Sequence, residues 1–292
     1  MIAIAGPDIP RELLIASGRD AGPVRFDPDR APGRAADWLE SKFAPWAMPV
    51  LDAWAEGAYD GLEAVLFSRS DDTSQRLYYY LCELQRLGRI AGPEPLLLDS
   101  ARIPRPASLA RTVERLRVLV QRLGIADAAL EAAIARTNAE RGAGPAADDR
   151  PACLLTGTAP PDGRLHAVIA DAGFRPVGQT LAEAWCDRGA PVAEGSGDPV
   201  AALGRWMHER PDGPRGFRDP VASLAAGIAQ AQARAVVLWR VEEDEAQCWH
   251  LPQERAALAQ AGVPALVLTR RDWRGRDGAG AEIAGFLQGI AA

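Results

Sequence analysis

The stretch from Ala64 to Asp99 constrains the fold of this chain more than any other. It opens with a short apolar run, Ala64-Val65-Leu66-Phe67, of the kind that forms a buried strand. A polar turn, Ser68-Arg69-Ser70-Asp71-Asp72, follows, and then Leu77, Leu81, Leu84 and Leu87 recur at helical spacing. Asp72 with Gln75 three residues on has the form of a capping box, which predicts a helix starting near Thr73, and Gly88 is placed to end it. Leu96-Leu97-Leu98 gives a second buried strand. Strand, helix and strand at this spacing make one crossover unit of a parallel sheet. The loop from Ser68 to Asp72 therefore lies at a strand's carboxyl end, where open α/β sheets place their chemistry.

The same grammar extends along the chain. Ile9 to Gly18 reads as a short helix entered through Pro10, and Val24-Arg25-Phe26 as a strand. Ala35 to Phe43 reads as a helix, and the pattern breaks at Ala44 to Pro49 before Val50 to Trp54 resumes it. Ser108 to Leu123 carries Leu109, Val113, Leu116 and Val120 on one face, and Ala126 to Glu140 forms another helix. Arg141 to Pro151 has the composition of a linker. Beyond it, Cys153 to Thr156, Phe174 to Val177, Ala235 to Trp239 and Ala265 to Thr269 read as strands. Helices are expected at 165–172, 199–207, 221–232, 253–260 and 282–290, with irregular chain through the rest of 186–220. The predicted architecture is α/β: two Rossmann-like parallel-sheet domains joined by helices, an N-terminal one over 1–145 with a helical extension and a C-terminal one over 150–292.

Charge and cysteine usage narrow the function classes. The net charge is −6 with no basic cluster, which argues against nucleic acid as a partner. No apolar run has the length of a membrane span, and the first residues lack the basic start and long apolar core of a signal peptide, so the expected location is the cytoplasm. The 4 cysteines are far apart and form no CxxC, which indicates neither a disulfide framework nor a zinc ribbon.

A family resemblance runs through the motifs. The run from Ser68 to Leu84, followed by Pro95-Leu96-Leu97-Leu98-Asp99, resembles the first domain of 2-hydroxyacyl-CoA dehydratase and benzoyl-CoA reductase subunits. Arg11-Glu12-Leu13-Leu14 with Gly18, Leu154-Leu155-Thr156-Gly157-Thr158 and Ala261-Gly262-Val263-Pro264 stand in the family's order. The resemblance implies two Rossmann-like domains per subunit and pairing with a related subunit. It also implies cysteine-bound iron–sulfur clusters between the domains, where an acyl-CoA thioester takes one electron from an ATP-driven activator. The family's cluster-ligand positions fall here at Ala44, at Asp71 (Ser70 if the alignment slips by one) and at about Val241. Clusters take soft thiolates, which none of these supplies. No cofactor is therefore expected in this chain, and a [4Fe-4S] cluster is expected in a homologous partner subunit. The family's C-terminal Thr-Arg pair is also missing from Gly278 to Ile283.

The candidate cleft residues are Ser68, Arg69, Ser70, Asp71, Asp72, Gly157, Thr158, Arg240 and Glu242. Asp71 and Asp72 are acid/base candidates or, more simply, Asp72 is the helix cap and Asp71 complements the helix dipole. Arg69 is placed to meet an acidic ligand or to form a surface ion pair. Gly157-Thr158 follows a strand and precedes a helix, a position for close ligand approach. Tyr78-Tyr79-Tyr80 would stack on an adenine or pack, and Glu242 to Glu245 would face a cleft or solvent. Cys248-Trp249-His250 offers two metal ligands, short of a structural zinc set. Two function classes follow. One is a subunit of an acyl-CoA dehydratase or reductase-like complex, auxiliary to the cluster-bearing partner; the other is a cluster-free acyl-CoA-binding or scaffolding protein. A Rossmann-like domain pair with an unrelated ligand is the blander third.

Overall fold

The structure, a computed structural model, describes residues 1–101, 103, 105–142, 148–187, 189–210 and 219–291. In chain order its first elements are β1 (Ile2–Ala5), α1 (Arg11–Ala16), β2 (Asp20–Pro23), α2 (Ala35–Trp38), α3 (Ala47–Ala55), β3 (Ala64–Ser68) and α4 (Asp72–Arg86). Next come β4 (Glu94–Leu98), α5 (Pro106–Leu123), α6 (Asp127–Gly142), β5 (Ala152–Gly157), α7 (Arg164–Asp171), β6 (Arg175–Val177) and α8 (Leu181–Trp185). The last are α9 (Pro199–Glu209), α10 (Pro220–Ala231), β7 (Ala233–Val241), α11 (Glu245–Cys248), α12 (Leu251–Ala261), β8 (Ala265–Arg271) and α13 (Ala279–Ala291). The strands form two four-stranded sheets, ordered β2-β1-β3-β4 and β6-β5-β7-β8, and every strand pairing in both is parallel. Helices flank both sheets, so the two Rossmann-like parallel-sheet domains expected from the sequence are present.

The division of the chain is less simple than one cut. One unit comprises residues 1–43, 47–145 and 185–217, the other residues 44–46, 146–184 and 218–292. The segment 185–217 thus packs with the first unit, whereas the sequence reading assigned it to a contiguous second domain. Its contacts explain why. The Asn138 amide, on α6, donates to the Val192 carbonyl at 2.8 Å and accepts from the Val192 amide at 2.9 Å. On α9, Trp206 lies between two guanidinium groups, Arg141 at 5.4 Å and Arg210 at 4.8 Å from the ring centroid, and its indole N–H donates to the Ala190 carbonyl. Arg141 in turn forms a buried ion pair with Glu12 of α1 at 2.6 Å, to which the Thr137 hydroxyl also donates.

Within the first unit the central strands explain their own sequences. β1 and β3 are buried along their whole length, so they read as unbroken apolar runs instead of alternating ones. β1 lies between β2 and β3, with Ile2 opposite Ala64 and Ala5 opposite Phe67. The expected first strand, Val24 to Phe26, is replaced by β2 at Asp20–Pro23, which is held by hydrogen bonds from Ile2 N–H to the Arg19 carbonyl and from Val24 N–H to the Ile4 carbonyl. The helix expected over 35–43 is shorter, Ala35–Trp38. Its start is fixed by Asp52, buried on α3, which accepts from the Gly33 and Ala35 amides at 2.8 Å each. α3 begins before Pro49, because a proline in a helix's first turn removes an N–H that has no intrahelical partner anyway.

α4 buries Leu77, Leu81 and Leu84 on one side, each contributing about 1.5–3 kcal/mol of transfer free energy. The cap is Asp71, not Asp72 as the capping-box pattern suggested: its carboxylate accepts from the Ser74 amide at 2.7 Å. Gly88, at φ +64°, turns the chain out of the helix as expected. In the second unit Leu154, Leu224, Ile228, Val236, Leu238 and Leu258 form the core between the sheet and α10 and α12.

Candidate functional site

In each sheet the chain leaves two adjacent central strands in opposite directions, β1 toward β2 and β3 toward β4, β5 toward β6 and β7 toward β8. The carboxyl ends of such a strand pair diverge, and the crevice between them is where open α/β sheets bind ligands. The candidate residues fall at these two places, Ser68 to Asp72 in the first unit and Gly157, Thr158, Arg240 and Glu242 in the second.

In the first unit the crevice is bridged by a hydroxyl. Ser74, from the first turn of α4, donates to the Ala5 carbonyl at the end of β1 and accepts from the Ser68 amide of β3 at 2.9 Å. Gly6 makes this possible. A Cβ there would lie 2.5 Å from Ser74 Oγ, and its φ of +134° is one that L side chains rarely adopt. Ser68 is fully buried and its hydroxyl accepts from the Ser70 amide at 3.1 Å; Ser70 meets Ser100 hydroxyl to hydroxyl at 3.3 Å. Arg69 points away from this cluster to Asp99, which follows β4 and also pairs with Arg111 of α5. Burial pushes the Asp99 carboxyl up, but the hydrogen bonds from Arg69 and Arg111 outweigh it and hold the group below the usual carboxylate range. Asp71 is committed to the α4 cap, and Asp72 is exposed in the helix's first turn, where a negative charge complements the dipole. Asp8, absent from the sequence-derived set, sits buried in the β1–α1 loop at φ +60°. The turn residues Gly6-Pro7-Asp8 were the only signal in the sequence.

In the second unit the bridge comes from the other strand. Gly157, at φ +110°, brings the end of β5 so close to β7 that a Cβ would lie 2.2 Å from the Trp239 carbonyl oxygen. The Thr158 amide donates to that same oxygen at 2.8 Å, and its hydroxyl donates to Asp244 at 2.8 Å and accepts from the Val241 amide at 3.3 Å. Arg240 is buried and forms an ion pair with Glu254 of α12, also buried, and a longer one with Asp244 at 3.7 Å. The structure thus brings Thr158 and Arg240 together at Asp244, with Gly157 beside them against the Trp239 backbone. Glu242 is not part of this group: its side chain is exposed and its amide donates to the Arg271 carbonyl at 3.2 Å.

The remaining candidates resolve toward packing. Tyr78 lies against Phe67, and Tyr80 meets Phe43 edge-on at 5.2 Å, while Tyr79 faces solvent. Glu242, Glu243 and Glu245 form an exposed acidic turn, Trp249 is 83 % exposed, and Cys248 contacts the Asp244 carbonyl through its thiol. None of the 4 cysteines is in a disulfide, and burial pushes Cys153 up to about 12, which leaves it an inert core residue. Of the three positions that the resemblance would align with cluster ligands, Ala44 is half-buried, Asp71 caps α4, and Val241 is the buried last residue of β7. This donor set does not fit a thiolate-ligated cluster. Among the described residues no group of three or more His, Cys, Asp or Glu is arranged to hold a metal ion, and no helix is long and apolar enough to cross a membrane. A scan of the sequence against protein-family models finds no match, and no curated protein matches it.

Proposed function

We propose that this chain is an auxiliary subunit of a 2-hydroxyacyl-CoA dehydratase or benzoyl-CoA reductase-like complex, working in the cytoplasm beside a homologous subunit that carries the [4Fe-4S] cluster. One observation supports this reading above the others. Asp71 stands in the turn that follows β3, three residues past Ser68, and Val241 ends β7, and these two strands hold the same place in their respective sheets. Two of the ligand positions implied by the resemblance therefore fall at corresponding strand ends of two like sheets, a correspondence that a chance likeness of sequence would not require. Both positions have been given structural duties, a helix cap and a buried strand residue, so the redox step belongs to the partner. The share left to this chain is to hold its strand-end loops in a fixed shape beside an acyl-CoA.

The test is anaerobic purification with and without a co-encoded homologue, followed by iron and sulfide analysis and a visible spectrum. Iron that appears only with the homologue present is the expected result. A colourless chain that binds neither iron nor the homologue would overturn the proposal, and so would a stoichiometric cluster in this chain alone.

A second reading, a cluster-free acyl-CoA-binding or scaffolding protein, is favoured by the closure of both strand-end crevices by the chain's own hydroxyls, Ser74 and Thr158. Titration of the isolated chain with acetyl-CoA separates its two forms. Saturable heat marks a binding protein, and none marks a scaffold.

A further inference from the structure

We propose that Arg69 and Arg111 form a binding site for a phosphoryl group at the carboxyl edge of β3 and β4. The two guanidinium groups reach Asp99 from different elements, one from the turn after β3 and one from α5. Asp99 carries one negative charge against two positive ones, and its carboxyl is held in the charged form. The pair therefore keeps an excess positive charge fixed in place by the acid between them. Each hydrogen bond to Asp99 uses a single terminal nitrogen, so most of the five N–H donors on each guanidinium remain for a second acceptor. Both side chains are open to solvent, at 40 % and 44 % exposure, so a ligand can reach them. Of the other acids of the loop, Asp71 accepts from the Ser74 amide, and Asp72 lies in the first turn of α4. Below the pair, the turns after β3 and β4 are joined by the buried Ser70–Ser100 hydroxyl contact, and Thr112 on α5 both accepts from the Ala101 amide and donates to the Ala101 carbonyl. These bonds tie the three supporting segments together. Arginine forks fixed in this way suit the tetrahedral oxygens of a phosphoryl group, free or carried on a nucleotide.

The proposal stands apart from the acyl-CoA reading, since the probe needs neither a partner nor a thioester. Calorimetric titration of the full chain with inorganic pyrophosphate at low ionic strength tests it. The wild-type chain is expected to bind, and Arg69→Gln and Arg111→Gln are each expected to weaken binding by roughly tenfold or more, the worth of one charge-assisted hydrogen bond. Arg86→Gln, on the exposed flank of α4, is expected to leave binding unchanged. Circular dichroism checks that each variant folds, and Arg111→Gln carries the test if the turn variant does not. No binding by the wild type would overturn the proposal. So would equal binding by Arg111→Gln, or an equal loss in Arg86→Gln, which would reveal a diffuse charge effect.

Discussion

The two sheets have one topology and close it by opposite means. In the first unit the bridging hydroxyl belongs to the helix after the third strand in chain order and reaches back to the first strand; in the second it follows the first strand and reaches across to the third. Each closure needs a glycine at the end of the first strand, but the neighbours of the two glycines differ. Gly6 faces the Ser74 and Ser68 side chains, whereas Gly157 faces the backbone of Trp239. The polar support differs as well. The Ser74 hydroxyl meets only backbone groups, the Ala5 carbonyl and the Ser68 amide, while the Thr158 hydroxyl leads through Asp244 to a buried Arg240–Glu254 pair. The topology thus requires that diverging strand ends be tied together, and leaves open which residue ties them.

This contrast can be broken experimentally, and the largest effect should come from the glycines. Gly157→Ala is expected to cost more than about 4 kcal/mol, because the obstructing atom is a backbone oxygen and the conformation is already unfavourable to side chains. Gly6→Ala should cost about 1–3 kcal/mol as an overpacking change. Combining it with Ser74→Gly should cost less than the two changes summed, since the obstruction is then removed. Thermal denaturation measures all three, and equal losses for the two alanine variants would erase the distinction.

Next in size is the buried Arg240–Glu254 ion pair of the second unit. Glu254→Ala leaves the buried Arg240 with only its longer contact to Asp244 at 3.7 Å and should cost about 3 kcal/mol by urea denaturation, the lower end for a broken buried pair. Replacing both, with Arg240→Met and Glu254→Leu, should recover most of that loss. If the double variant is as unstable as the single one, the pair holds the strand end by geometry and not by charge balance.

The bridging hydroxyls come third. Ser74→Ala strips a partner from the Ala5 carbonyl and the Ser68 amide and should cost about 1–3 kcal/mol. Thr158→Val keeps the shape and should cost about 1 kcal/mol, because one of its partners, Asp244, reaches solvent. A larger loss at Thr158 than at Ser74 would reverse the ranking. The smallest effect concerns pH. Asp99 has a depressed folded-state pKa, so its stabilising share is complete above the unfolded value near pH 4 and is lost as pH falls through the folded value. Asp99→Asn should therefore flatten the acid limb of the stability curve and leave its neutral part with only a constant offset.

Much of this architecture was legible because it is local. The unit from β3 to β4 could be read from apolar runs and leucine spacing, and so could α5, α6, β5 and β7. β1 was missed because four residues, buried on both faces, carry no alternation to distinguish them from any short apolar run. β2 was misplaced because Asp20-Ala21-Gly22-Pro23 has almost no strand propensity of its own and pairs only because β1 is beside it. The cap was read one residue late because two aspartates stand side by side and only geometry chooses between them. At the candidate site, the positions of Thr158 and Arg240 at strand ends could be predicted. Their partners could not, since Asp244 lies 86 residues from Thr158 and Glu254 comes from a different helix.

The return of residues 185–217 to the first unit fixes an order of events during synthesis. α9 packs on α5 and α6, so the first unit lacks part of its helical layer until residue 209 has left the ribosome. By then β5 and β6, the first two strands of the second sheet, have already emerged, while β7 and β8 have not. For that interval the nascent chain holds one nearly finished parallel sheet and two orphan strands of the same kind. The bonds from Asn138 to Val192 and the packing of Trp206 between Arg141 and Arg210 are then more than anchors. They complete the helical layer of the first unit. A gene cut between residues 145 and 150 would therefore express two fragments, neither of which contains a whole unit.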